Sequence, residues 1–190
     1  AANYPFANIE PNDGVVAVDF LRPLDVQAAS VTTEVGKSLF ALLPRGSPAV
    51  AIGVLVVGMT MPTTPGPYVL GALSVLLGIT LSCATVYLVA AAGFWLVDTR
   101  GVQIFYMVVS GFLAGLFVPI SLFPGWLLRV AEATPFPSMM MYPVDVLSGR
   151  VTGSAALGLV AVQLLWLAVT GAVGQVLTRA GRQRLEVQGG

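Results

Sequence analysis

Few residues in this chain are of types that do chemistry, and where they stand says more than how many there are. Histidine is absent. That removes the commonest general base, the Ser–His and Cys–His nucleophile pairs and most zinc sites. Cys83 is the single cysteine and stands in an apolar run, so no disulfide forms within the chain. There is no G-x-x-x-x-G-K-[ST] phosphate loop, so the chain does not hydrolyse ATP alone. The polar side chains inside the long apolar stretches are chiefly Thr80, Thr85, Ser110, Gln163 and Gln175, and none is ionised. Proton- or sodium-coupled carriers usually place an ionisable group or an unwound helix within the membrane, so a secondary carrier is disfavoured. Intramembrane proteases need histidine or paired aspartates within their spans, and these are missing too.

The elements that must hold these side chains follow from composition. Hydrophobic residues make up 56% of the 190 and charged ones only 9%, where a soluble domain carries roughly 25% charged residues. Acids and bases cancel, so no net field draws nucleic acid. Three stretches lack Asp, Glu, Lys and Arg altogether: Gly46–Val97, Gly101–Leu128 and Val151–Thr178. A helix needs about 20 mostly apolar residues to cross the hydrocarbon core. The second and third stretches each supply one span, near Val102–Leu122 and Ser154–Leu177. The first is cut by Pro62-Thr63-Thr64-Pro65-Gly66-Pro67 into a short crossing at Pro48–Met61 and a long one at Tyr68–Val97. The short one is marginal in length and can draw on Leu39–Pro44. The expected fold is therefore an all-α, polytopic membrane helix bundle with four visible crossings.

Four crossings put both visible ends on one side, together with Arg22, Lys37, Arg45, Arg100, Arg179, Arg182 and Arg184. Only Arg129 and Arg150 fall on the other. The positive-inside rule then makes the termini and the Asp98–Gln103 turn cytoplasmic. The expected order is a cytoplasmic segment 1–45, transmembrane helices 46–122, an outer segment 123–150, a last span 151–178 and a cytoplasmic tail 179–190.

In the first segment Asn12 or Asp13 can cap a short helix from Gly14 to just before Pro23. It is either an interfacial helix lying on the membrane or a docking element for a cytosolic partner. Asp25–Leu42 follows as an amphipathic stretch, with Glu34 and Lys37 spaced for a helical pair. Ser74, Gly78 and Ser82 recur every fourth residue in the long crossing, a spacing that lets another helix come close, and Gly111 and Gly115 repeat that spacing in the next. Ordinary packing explains such spacings at least as readily as a transport pathway. In the outer segment Phe123, Trp126, Leu127 and Val130 share one helical face, with Arg129 and Glu132 off it. Pro124 suits the first turn of that helix and Pro143 the first turn of another ending near Gly149. So apolar a segment should pack on the bundle at the outer leaflet.

Read together, these motifs resemble the ABC-2 type permeases, the membrane subunits of bacterial ABC exporters. Asn12-Asp13-Gly14-Val15-Val16-Ala17 with Phe20-Leu21-Arg22-Pro23 is similar to the family's cytoplasmic loop. Phe94-Trp95 with Asp98-Thr99 resembles the turn before its fifth helix. Gly115-Leu116-Phe117-Val118-Pro119, Phe123-Pro124, Trp126, Pro135-Phe136, Tyr142-Pro143 and Gly149 resemble its outer re-entrant region. The resemblance implies six helices per subunit, so two are expected before Ala1. It also implies two cytosolic ATPase subunits that carry the ATP and Mg, a second permease subunit in a homo- or heterodimer, and no cofactor on this chain. A coupling role against the ATPase then falls to Asp13, Gly14, Asp19, Phe20, Leu21, Arg22 and Pro23. An outer gate falls to Phe117, Pro119, Phe123, Pro124, Trp126, Pro135, Phe136, Tyr142 and Pro143, and helix packing or a pathway to Ser74, Gly78, Ser82, Gly111 and Gly115. The implied location is the bacterial inner membrane, among lipid, and the implied cargo amphipathic, drug- or lipid-like. The competing expectation is an accessory or scaffold subunit that transports nothing itself.

Overall fold

A computed structural model of the chain describes residues 26–56, 65–96 and 98–188, the side chains at 49, 54, 94 and 182–188 excepted. The described residues form helices α1 (Val26–Leu55), α2 (Gly66–Ala91), α3 (Arg100–Leu113), α4 (Gly125–Glu132), α5 (Phe136–Met139), α6 (Met141–Leu147) and α7 (Gly153–Gln188), with 3₁₀ turns at Ala92–Phe94 and Ile120–Leu122. Among the described residues two helices are long and apolar enough to cross a membrane: Gly66–Ala91, and Gly153–Gly181 within α7. At 1.5 Å per residue the 26 residues of α2 extend about 39 Å. Both expose wide apolar faces, through Val69, Leu73 and Leu76 on α2 and Leu157, Leu164, Leu165 and Val176 on α7. Such faces suit hydrocarbon and would be costly against water.

α1 joins what the sequence divides. The amphipathic stretch and the start of the first crossing run as one helix through Pro44 and Pro48. Each proline removes a backbone donor, but the four-residue spacing puts both losses on one face. Lys37 and Glu34 form the expected pair, 2.7 Å apart.

α3 is shorter than its uncharged run. It spans 14 residues, about 21 Å, well under a crossing. Gly115 ends it at φ +86°. The Leu116 N–H donates to the Gly111 carbonyl at 3.0 Å and the Gly115 N–H to Phe112 at 3.1 Å, the paired bonds of a Schellman cap. The span expected over Val102–Leu122 is therefore a helix, a left-handed glycine turn and a separate 3₁₀ turn. At its start, the Asp98 carboxylate accepts the Arg100 N–H at 2.9 Å.

Residues 123–150 fold as short helices, as the prolines suggest. Pro124 precedes α4, and its carbonyl accepts from Leu127 and Leu128. Pro143 lies in the first turn of α6, and Gly149 at φ +73° closes the turn after it. Leu113, Ile120, Phe123 and Ala131 form a small core that ties this segment to the end of α3, with Val109, Phe136 and Met141 packed around it. α2 lies at the centre, against α1, α5, α6 and α7.

Candidate functional site

Several polar groups of α2 and α7 are buried and pair across helices. Gln163, on α7, is fully buried. Its Oε1 accepts from the Ser74 hydroxyl of α2 at 2.8 Å. Its Nε2 donates to the Ser74 carbonyl at 3.0 Å and to the Ser138 carbonyl of α5 at 2.8 Å. One carboxamide thus holds three helices, 89 positions from Ser74 and 25 from Ser138. The Ser138 hydroxyl beside it is buried without a partner.

Further along α2, the Thr85 hydroxyl donates back to the Ser82 carbonyl at 2.9 Å. Its oxygen is then left to accept from the Tyr106 hydroxyl of α3, 2.7 Å away. Tyr87 meets Thr178 of α7 at 2.7 Å, and Thr178 in turn donates to the Gly174 carbonyl. Gln27, on the first turn of α1, donates to the Gly171 carbonyl of α7 at 3.2 Å. These contacts make a ladder of neutral polar links from α2 to α3, α5 and α7, with one more between α1 and α7. Such an array registers helices without placing a charge in hydrocarbon, and it offers no nucleophile–base pair.

Of the residues expected to pack or line a pathway, Ser74 and Gly78 stand at close contacts. A Cβ on Gly78 would lie 2.7 Å from the Met139 carbonyl oxygen and 2.9 Å from Pro143 Cγ, so α2 needs glycine there for α5 and α6 to seat. Ser82 is half-buried and contributes its carbonyl. Gly111 and Gly115 have a local use: a Cβ on Gly111 would meet the Phe117 ring at 2.9 Å, and Gly115 turns the chain.

The residues expected at the outer gate separate into two groups. Phe123 is buried and stacks on Phe112 with ring centroids 5.1 Å apart, Phe136 lies 6.1 Å from Tyr106, and Pro143 is buried against α2. Pro135 and Tyr142 are half-buried, whereas Phe117, Pro119, Pro124 and Trp126 are exposed. Burial, with smaller contributions from the Glu132 and Asp145 carboxylates, raises the Tyr142 phenol above its ordinary value, so it stays neutral. Arg150 pairs with Asp145 at 3.0 Å behind it. The residues expected to couple to an ATPase, from Asp13 to Pro23, lie outside the described residues.

Sequence reasoning named Gln163 only as one polar residue among several, and passed over Ser138, Tyr106 and Gln27. The signal for Gln163 was the cost of an amide in an apolar span, which requires a partner on another helix.

A chain whose two membrane-length helices, α2 and α7, are apolar outside and joined inside by neutral polar contacts is a multi-pass helical membrane protein. The family model of the ABC-2 family transporter proteins matches residues 9–189. The chain belongs to that family and is an ABC-2 type permease, the membrane domain of an ABC transporter and not itself a catalytic subunit. No curated protein matches it, and no solved structure does.

Proposed function

We propose that the chain is the transmembrane subunit of an ATP-driven exporter that moves an amphipathic, drug- or lipid-like substrate by alternating access. It works with two cytosolic ATPase subunits and a second permease subunit in a bacterial inner membrane. The family match over residues 9–189 carries this reading. The inward-facing polar ladder supports it, because neutral cross-helix bonds of modest strength let helices re-register between two arrangements. ATP, bound better in one arrangement than the other, supplies the drive. In this reading there are four crossings, the termini are cytoplasmic, Asp13–Arg22 faces the ATPase, and α4–α6 lie at the outer leaflet as part of an extracellular gate.

The test is purification of the full-length protein in mild detergent, with mass spectrometry of what accompanies it and an ATPase assay. A stoichiometric ATPase whose turnover changes on Asp13→Ala or Arg22→Ala is the expected result. Reproducible purification with no ATPase would favour the scaffold alternative instead.

A further inference from the structure

α2 and α7 run parallel and in register. Ser74 meets Gln163, and further along Tyr87 meets Thr178. Counted from those two pairs, Gly171 of α7 is level with residues 80–82 of α2, and Gly174 with residues 83–85. α1 touches both helices near this level. Gln27 donates to the Gly171 carbonyl at 3.2 Å and lies against Gly174, while the Ser38 hydroxyl is 4.0 Å from the Cys83 sulfur. From Gln27 to Ser38 is about 16 Å along α1, yet their contacts differ by no more than about 5 Å along the axis of α2 and α7. α1 therefore crosses the pair at a steep angle and does not pack alongside it. Burial agrees. Arg45 and Ile52 stand on the same helical face as Gln27, but both are exposed where Gln27 is buried.

That level is close to a membrane boundary. Cys83 lies about 26 Å along α2 from Gly66, and the hydrocarbon core is about 30 Å thick. With the start of α2 at one edge of the core, α1 crosses about 4 Å inside the other. α1 matches the spans in length but is not apolar enough to be one, and it carries Glu34, Lys37 and Arg45. Its residues 26–43 are two-sided. At 100° per residue Gln27, Ser30, Glu34, Lys37 and Ser38 fall on one flank, and Val31, Val35, Leu39, Leu42 and Leu43 on another. Leu39, Leu42 and Leu43 are exposed, as is Phe40 beside them. A helix that lies across the bundle at the edge of the core, polar on one flank and bare and apolar on the other, is built to sit in a lipid surface.

We propose that residues 26–43 of α1 lie in the plane of the membrane, at the boundary where α2 ends, with Leu39, Leu42 and Leu43 against phospholipid acyl chains and Lys37 toward headgroups and water. The partner of this face is the lipid monolayer. In the proposed topology it is the cytoplasmic leaflet. The assignment rests on the contacts among α1, α2 and α7 and involves no ATPase, so it stands or falls separately from the exporter reading.

The experiment uses the full-length protein reconstituted in vesicles of phosphatidylethanolamine and phosphatidylglycerol. In a Cys83→Ser background, a nitroxide is attached to single cysteines replacing Thr32, Lys37, Leu39 or Leu43 on α1, and Val69 or Leu76 on α2. All six positions are exposed, so the label displaces no packing. Should one of the α1 labels lower the thermal midpoint, Gly36 takes its place, since a Cβ there meets nothing within 4 Å. Power-saturation EPR, with oxygen as the lipid-soluble collider and a nickel chelate as the aqueous one, gives each label's depth. Val69 and Leu76 should differ by about 10 Å and set the scale. Thr32, Leu39 and Leu43 share a face over about 16 Å of helix, and should lie within about 5 Å of one depth, about 5–10 Å below the phosphates. Lys37 should meet the chelate several-fold more often than Leu39. A steady change of about 16 Å in depth from Thr32 to Leu43 would make this part of α1 an upright crossing and overturn the proposal. Screening of Leu39 and Leu43 from both colliders would show that a second copy or another protein covers the face, and free access of the chelate to all four α1 positions would place the helix in water; either result overturns the lipid assignment.

Discussion

Replacing Gln163 with leucine should destabilise the protein by an amount set by its three bonds. The side chain gives up contacts of 2.8, 3.0 and 2.8 Å. Cross-helix bonds in membrane proteins average about 0.6 kcal/mol in double-mutant cycles, so three give about 2 kcal/mol. Leucine nearly conserves volume and adds little cavity cost, whereas alanine would add about 1–2 kcal/mol more by emptying a fully buried site. For a chain of this size, about 2–4 °C per kcal/mol converts the leucine cost to a drop of roughly 4–8 °C in thermal midpoint. Ser74→Ala removes only one of the three bonds and should cost about 0.6 kcal/mol. The double variant should then lose about 2 kcal/mol, not the sum, because the Ser74–Gln163 bond belongs to both singles. Midpoints of the detergent-purified protein, followed by intrinsic tryptophan fluorescence, measure all three. Gln163→Leu at or above the starting midpoint, or a strictly additive double variant, would refute the claim that this amide holds α2, α5 and α7 together.

Two further outcomes are expected. Gly78→Ala should destabilise by about 1–3 kcal/mol despite alanine's better helix propensity, because its methyl would meet the rigid Met139 carbonyl at 2.7 Å; thermal midpoints check this. In a Cys83→Ser background, cysteines at Trp126 or Arg129 should react with an impermeant maleimide added to intact cells, whereas a cysteine at Arg100 should react only after permeabilisation; the reverse pattern would invert the proposed topology.

The sequence shows where the helices begin and stop wherever proline or charge punctuates them. Pro124 marks α4 from the position just before it, Pro143 marks α6 because a fixed φ suits a first turn, and Asp98 marks the start of α3 because its carboxylate takes a free N–H. Elsewhere the same signals mislead. The sequence sets Asp25–Leu42 apart from the crossing that starts at Pro48, yet Pro44 and Pro48, four residues apart, share a face and one helix runs through both. Gly111 and Gly115 have the spacing of a helix–helix seam, yet φ at Gly115 is left-handed and the pair ends α3 locally, which spacing cannot reveal. α2 and α7 pose a deeper difficulty. Helices apolar on every side carry no periodicity that distinguishes the lipid face from the buried one, so the meeting of Ser74 with Gln163, 89 positions apart, was not readable from pattern.

Residue type still tells which polar groups make tertiary contacts. A hydroxyl can donate to the carbonyl one turn back and needs nothing from a neighbour. Thr33, Thr80 and Thr170 do this toward Ala29, Leu76 and Trp166. A buried glutamine's longer stem carries its amide past the carbonyls of its own turn toward a neighbouring element. Gln163 reaches the carbonyls of Ser74 and Ser138, and Gln27 reaches that of Gly171, in every case on another element. Thr85 and Thr178 do both, bonding their own turns and meeting Tyr106 and Tyr87, so a threonine leaves its role open, while the buried amides of Gln163 and Gln27 each mark a place where two helices meet.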